Sequence, residues 1–207
     1  MAELTLYHAI PTRSSIVRWM LEELGEPYDL VLLNVFEGEQ MTPDYLALNP
    51  MGKVPTLRHG DAVVSEVAAI CTYLADEFPG AKLNKPIGDP DRGAYLKWLF
   101  FGPSCIEPAM FDRAFPRKEE PREGTLGYGN FDRVTNVTAE AVSKGTYLFG
   151  EEFTAADIVI GSLLRWGTLF KLLPERAEFK DYVARLEQRP ALQRTLQLEQ
   201  AETAQAE

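Results

Sequence analysis

Three hydroxyls and a guanidinium lie together in Thr12-Arg13-Ser14-Ser15, directly after Pro11 and directly before an apolar pattern of helical spacing. A hydroxyl at a strand-to-helix turn can donate to an anion held there, and a hydrogen bond to a charged group contributes about 1.5–3 kcal/mol. The N-terminus of the helix that follows adds up to about 2 kcal/mol in a partly buried geometry. Together these contributions suffice to hold a small anion at the turn. Ser14 and Ser15 read equally well as helix N-caps. A second chemical position is Glu66, which opens a helix after a strand, where unpaired N–H groups favour an anion and a carboxylate can face a cation. The third is Val54-Pro55, an X-Pro pair in a turn-rich stretch that offers backbone groups rather than a side chain.

The elements that must position these residues follow from periodicity. Leu4 to His8 reads as a strand. Ile16, Val17, Met20, Leu21 and Leu24 recur at helical spacing, with Gly25 as the stop and Pro27 beyond. Tyr28 to Val35 is a short apolar run, read as a buried strand. Thr56 to His59 and Ala62 to Val64 flank Gly60-Asp61 as a hairpin, and Glu66 to Glu77 is helical again. The order is β-α-β-α-β-β-α.

Residues 79–90 carry three prolines and two glycines and read as a linker, dividing a domain over 1–78 from one over 91–207. Beyond the linker the patterns are helical: Asp91 to Phe101, Phe131 to Val142, Ala155 to Leu173, and a last one through Phe179, Tyr182, Val183 and Leu186 that Pro190 stops. Gly102-Pro103 is expected to kink the first of these, and the polar tail from Glu199 is expected to fray.

Composition narrows the function classes. The chain has 207 residues, 45% of them hydrophobic and 25% charged, which suits globular domains with a buried core. A formal net charge of −10 speaks against a nucleic-acid partner, which requires clustered cations. No basic and apolar leader and no run of about 20 apolar residues is present, so a cytoplasmic location away from the membrane is the expectation. Cys71 and Cys105 are the only cysteines, too few for a disulfide framework, and each reads as a small apolar side chain.

Three segments in this order resemble the glutathione transferase superfamily across nearly the whole chain. They are Ser14 to Tyr28, Asn49-Pro50-Met51-Gly52-Lys53-Val54-Pro55-Thr56-Leu57, and Phe153-Thr154-Ala155-Ala156-Asp157-Ile158. The first turn is similar to the Ser-Arg-Ser-Ser of a bacterial group, with Thr12 in place of the first serine. The resemblance implies an α/β thioredoxin-like N-terminal domain that binds glutathione as co-substrate, and an all-α C-terminal bundle that shapes a pocket for a small hydrophobic electrophile. It also implies a homodimer and no metal. A glutathione-dependent peroxidase, or a non-catalytic ligand-binding or interaction protein on the same fold, are the alternatives.

The resemblance also implies roles for single residues. Val54, before a cis Pro55 and after Lys53, would pair strand-like with the cysteinyl backbone of glutathione. Glu66 would face the γ-glutamyl ammonium, while the backbone at Val67 takes its carboxylate; Val67 stands where the family usually has a serine, so that hydroxyl is lost. Thr12 is the expected catalytic hydroxyl, with Ser14 as runner-up and Arg13 holding negative charge. Tyr7 lies where other classes carry a catalytic tyrosine. Tyr7, Trp98, Phe101, Cys105, Phe111 and Trp166 are the expected pocket residues, with Trp98, Phe101, Cys105 and Phe111 facing the sulfur across a cleft and Trp166 with Phe170 closing its far side. The Thr154 to Asp157 capping box is structural.

Overall fold

The computed structural model describes residues 3–119 and 121–206. Its internal contacts group into two units: Met1–Ala81 together with Arg189–Glu207, and Lys82–Gln188.

The first unit begins with β1 (Leu4–His8), α1 (Ser14–Leu24) and β2 (Tyr28–Leu32). A single 3-10 turn, Glu39–Met41, leads into α2 (Pro43–Leu48), then β3 (Thr56–His59), β4 (Ala62–Ser65) and α3 (Val67–Glu77). The strand order is β2-β1-β3-β4. β1 runs parallel to β2 and antiparallel to β3, and β3 pairs antiparallel with β4 through the Gly60-Asp61 turn. Ile16, Val17, Met20 and Leu21 form the buried face of α1, as their spacing predicts. Gly25 ends that helix at φ 73°, the left-handed conformation glycine adopts without a Cβ penalty.

The run Tyr28 to Val35 was expected as a buried strand, but β2 stops at Leu32 and is the edge of the sheet, with Val31 and Leu32 on the surface. Asn34 ends it, because its side chain accepts from the amides of Phe36 and Glu37 and turns the chain. The C-terminal tail does not fray either. Pro190 opens α9 (Pro190–Ala206) rather than closing the preceding helix, since a first-turn position needs no N–H.

α9 packs along α1 and so belongs with the first unit, not with the helical domain expected over 91–207. Ala191, Leu192 and Thr195 are its buried residues at helical spacing. Ion pairs fix the register: Arg189 forks onto Glu23 at 2.6 and 2.7 Å, Arg194 meets Glu22 at 3.1 Å, and the buried Arg18 is bidentate to Glu202.

The second unit is helical: α4 (Arg92–Phe101), α5 (Glu107–Ala114), α6 (Phe131–Val142), α7 (Ala155–Leu169) and α8 (Ala177–Glu187). Gly102–Ile106 forms a π-turn between α4 and α5, at the expected Gly102-Pro103 irregularity. A Cβ on Gly102 would stand 2.9 Å from Leu163 Cδ1 and 3.0 Å from Val159 Cγ1, so α7 needs glycine there for close approach. α7 is buried from Ala155 through Leu164 and forms the centre of this core. It ends at Leu169, short of the expected Leu173. Asp157 is fully buried and accepts from the Thr154 amide and hydroxyl, which makes the expected cap. No helix among the described residues is long and apolar enough to cross a membrane.

Candidate functional site

Sheet register gathers the three chemical segments of the first unit. Tyr7 on β1 stands opposite Thr56 on β3, and Thr56 stands opposite Ser65 on β4. Beyond that row the chain runs from His8 into the Thr12 turn, arrives through Val54-Pro55 at Thr56, and leaves Ser65 into Glu66. All three segments therefore sit at one end of the sheet. At about 4.8 Å between neighbouring strands the row spans roughly 10 Å.

The first turn is held from inside. Ser14 Oγ is fully buried, 2.7 Å from His8 Nδ1 and 2.6 Å from Thr12 Oγ1; it accepts from the Ala9 amide and donates to the Ala9 carbonyl, each at 3.1 Å. Thr12, half-buried, donates to the Ala9 carbonyl at 2.6 Å and accepts from the Ser14 amide at 3.2 Å. The structure thus joins two of the expected catalytic hydroxyls but turns Ser14 inward, where it ties the turn to β1. Arg13 is exposed at the helix start. The half-buried Ser15 hydroxyl has no hydrogen-bond partner among the described residues. The Ile10-Pro11 peptide is cis.

Behind Ser14 lies His8, which the sequence did not single out. It is fully buried, with Nε2 3.5 Å from Glu199 Oε1. Burial and the Arg18 guanidinium push its pKa from 6.5 down to about 4, against an upward pull from Glu202. A histidine depressed in the folded state favours folding fully above its unfolded pKa. That stability is lost as pH falls through the window from 6.5 to about 4, a total of about 3 kcal/mol. Urea denaturation should show this loss between pH 7 and pH 4.5, and His8→Asn should be less pH-dependent over the same interval. An equal dependence in both proteins would rule out His8 as its source.

The Val54 loop is fixed by side chains that sequence reasoning passed over. Tyr45 from α2 donates to the Lys53 carbonyl at 2.6 Å and lies 2.8 Å from Thr56 Oγ1. Asn49 Nδ2 donates to the same two oxygens at 2.8 and 3.1 Å. Burial raises the Tyr45 pKa, so its phenol stays protonated as the donor to Lys53. Gly52, at φ 58°, leaves room where a Cβ would stand 2.5 Å from Met41 Sδ. The Val54-Pro55 peptide is cis, as expected, and the Val54 amide and carbonyl carry no hydrogen bond among the described residues. Lys53 is exposed and Pro55 buried. Tyr7 is half-buried edge-on to Tyr45, with ring centroids 5.6 Å apart.

Glu66 is exposed and precedes α3 at φ 71°, ψ 123°, a conformation a non-glycine residue seldom holds. Strain of this kind costs on the order of 1–3 kcal/mol and concentrates at functional positions. The first helical bond of α3 runs from the Ile70 amide to the Glu66 carbonyl, so the amides of Val67 to Ala69 lie in the turn before it. Val67 is half-buried and brings no hydroxyl.

Among the expected pocket residues of the second unit, Trp98 and Phe101 pack on each other, while Phe111 and Trp166 pack on other aromatic rings. Trp98 is buried, edge-on to the half-buried Phe101 at 5.2 Å and under Lys97 Nζ at 3.9 Å. Phe111 is exposed and stacked on Phe115, while the half-buried Trp166 lies edge-on to Phe170. Cys105 is half-buried and its thiol is raised by desolvation. Burial pushes the Cys71 thiol up to about 12, which keeps it protonated.

Comparison with known proteins matches these features to one family. The family described as Glutathione S-transferase, N-terminal domain, matches residues 13–77, and its C-terminal domain counterpart matches residues 127–190. Glutathione S-transferase 2 of Schizosaccharomyces pombe is 31% identical over 199 residues, covering 90% of this chain and 85% of the relative. Glutathione S-transferase GstA of Escherichia coli O157:H7 is 28% identical over 182 residues, covering 86% and 90%. The crystal structure of glutathione transferase URE2P6 from Phanerochaete chrysosporium, in complex with oxidized glutathione, superposes with a TM-score of 0.78 at 26% identity over 97% of each chain. In fold and in sequence, the chain belongs to the glutathione S-transferase superfamily.

Proposed function

We propose that the protein is a glutathione transferase that activates the glutathione thiol at the Thr12 turn and directs it at a small hydrophobic electrophile. The observation that carries this reading is the row Tyr7, Thr56, Ser65, which sets the Thr12 turn, the Val54 backbone and Glu66 at one end of the sheet. Its span of roughly 10 Å matches an extended tripeptide, at about 3.3–3.6 Å per residue.

The free amide and carbonyl of Val54 bind the cysteinyl residue as an added strand, with Tyr45 and Asn49 holding the loop in place. Glu66 faces the γ-glutamyl ammonium, and the first amides of α3 face its carboxylate. This order puts the thiol at the turn, where Thr12 donates to the sulfur as the proton leaves for solvent and Arg13 adds positive charge. The thiolate then attacks the electrophile. A homodimer completes the proposal, as in the family pattern.

Glu66→Ala should raise the glutathione dissociation constant at least about tenfold, the loss of one charge-assisted contact of about 1.5–3 kcal/mol, with the circular dichroism unchanged. An unchanged constant by calorimetry would remove Glu66 from the site.

A further inference from the structure

A serine hydroxyl carries one proton and two lone pairs, yet four groups stand within reach of Ser14 Oγ. The Ala9 amide donates to it at 3.1 Å, which fills one lone pair. His8 Nδ1 at 2.7 Å, the Ala9 carbonyl at 3.1 Å and Thr12 Oγ1 at 2.6 Å compete for the proton and the other lone pair. His8 decides the outcome, because an imidazole nitrogen without a proton accepts and one with a proton donates.

Glu199 in turn decides between the two nitrogens. His8 is fully buried and, with its pKa down at about 4, neutral near pH 7, so its ring carries one proton. Arg18 of α1 and Glu202 of α9 are the other charged groups that act on it, and they are paired with each other. Glu199 Oε1, also on α9, lies 3.5 Å from Nε2. A carboxylate there holds the proton on Nε2 and leaves Nδ1 as an acceptor. Ser14 then spends its proton on His8, and the Ala9 carbonyl takes that of Thr12 at 2.6 Å. With the proton on Nδ1 the order reverses. His8 donates to Ser14, Ser14 serves the Ala9 carbonyl, and the Thr12 proton can face a sulfur.

We infer that His8 and Glu199 are positioning residues for thiol activation, the His8 tautomer setting the direction of the Thr12 proton. The inference rests on the glutathione reading above. As the thiolate forms, the thiol passes its proton to Thr12 Oγ1, Thr12 passes its own to Ser14 Oγ, Ser14 its own to His8 Nδ1, and His8 the Nε2 proton to Glu199. One proton enters the chain and one leaves it, and the sulfur keeps the electron pair of its S–H bond. The Glu199 side chain, 13% exposed, hands that proton to water. The 3.5 Å contact is longer than an ordinary hydrogen bond, so Nε2 loses little when its proton goes. The turn gains a donor for each of its acceptors, with the Thr12 proton left over for the sulfur.

Imidazole nitrogen NMR on the isotopically labelled full chain, at about pH 8 and so above the pKa of an activated thiol, tests this. His8 and His59 are the two histidines, and His59→Gln assigns their signals. The free protein is expected to carry the His8 proton on Nε2 and the glutathione complex on Nδ1. The complex with S-methylglutathione, which has no thiol proton to lose, should keep it on Nε2. Glu199→Gln removes the carboxylate that holds the resting tautomer, so the pKa of bound glutathione, read from thiolate absorbance, should fall by about half a unit, or about threefold in the thiolate equilibrium. On a Thr12→Val background the same substitution should move it by less than about 0.2 units, since no Thr12 proton remains to be turned. One tautomer in both the free and the glutathione-bound protein, or a switch that S-methylglutathione also produces, overturns the inference. So does a thiol pKa that stays or rises in Glu199→Gln. Absence of any binding heat with glutathione overturns the glutathione reading and this inference with it, a result distinct from a bound tripeptide beside an unmoved tautomer.

Discussion

Asp157→Ala is expected to destabilise the protein by about 3–5 kcal/mol, the range for removing one partner from a buried charged network. Its carboxylate is fully buried and accepts four hydrogen bonds: from the Thr154 amide at 2.8 Å, the Thr154 hydroxyl at 2.9 Å, the Leu148 amide at 2.8 Å and the Tyr182 hydroxyl at 2.6 Å. Burial raises the Asp157 pKa while these four donors hold it down. Alanine would strand the donors in the core, and each unsatisfied group costs about 1–3 kcal/mol. Tyr182 is the most exposed to this loss, because its phenol is itself wholly buried. For a chain of this size the fall in melting temperature should be about 6–20 °C. Asp157→Asn, which keeps the volume and one acceptor, should lose roughly half as much in urea denaturation. A loss below about 1 kcal/mol for the alanine variant would show that the network is not what closes this core.

Thr12→Val keeps the shape of the side chain and deletes the hydroxyl, and it should raise the pKa of bound glutathione by one to two units, or about 1.4–2.7 kcal/mol. In the free protein the Thr12 proton is directed at the Ala9 carbonyl or at Ser14 Oγ, both 2.6 Å away. A thiolate must draw it outward, exchanging a neutral hydrogen bond of about 0.5–1.5 kcal/mol for a charged one of about 1.5–3 kcal/mol. Ser14 can cover the Ala9 carbonyl when that happens, since it already donates there at 3.1 Å. Thiolate absorbance against pH, recorded for Thr12→Val and Ser15→Ala, checks the assignment. A shift in the serine variant alone would move the role to Ser15; no shift in either would leave activation to backbone amides and Arg13.

Patterns with a local period were legible in the sequence. The spacing of Ile16, Val17, Met20 and Leu21 gave α1, Gly60-Asp61 gave the hairpin, and Thr154 with Asp157 gave the start of α7. What depended on distant partners was not. Pro190 reads as a stop when only its neighbours are considered, yet the helix it opens is held by Glu22, Glu23 and Arg18, on α1. The acids Glu199 and Glu202 look like a solvated tail until their contacts with His8 and Arg18 are known. Tyr45, Asn49 and Thr56 are short-range in sequence, but a buried polar triangle has no periodic signature, so only the fold reveals how the Val54 loop is held. β2 was misjudged for a related reason: an apolar run reads alike at the centre and at the edge of a sheet.

The pairing of α1 with α9 has a consequence for how the chain is made. Arg18 and Glu202 are 184 residues apart, and at about 5–20 residues per second a ribosome takes roughly 10–40 seconds to synthesise that interval. During that time the Arg18 guanidinium has no carboxylate from α9, and the side of α1 that α9 will cover faces water or a chaperone. The segment Lys82–Gln188 emerges whole and can settle its own contacts first. The unit that leaves the ribosome earliest is therefore the last to be sealed, and a nascent chain stalled before Pro190 presents an open α1 face to whatever surveys unfinished proteins.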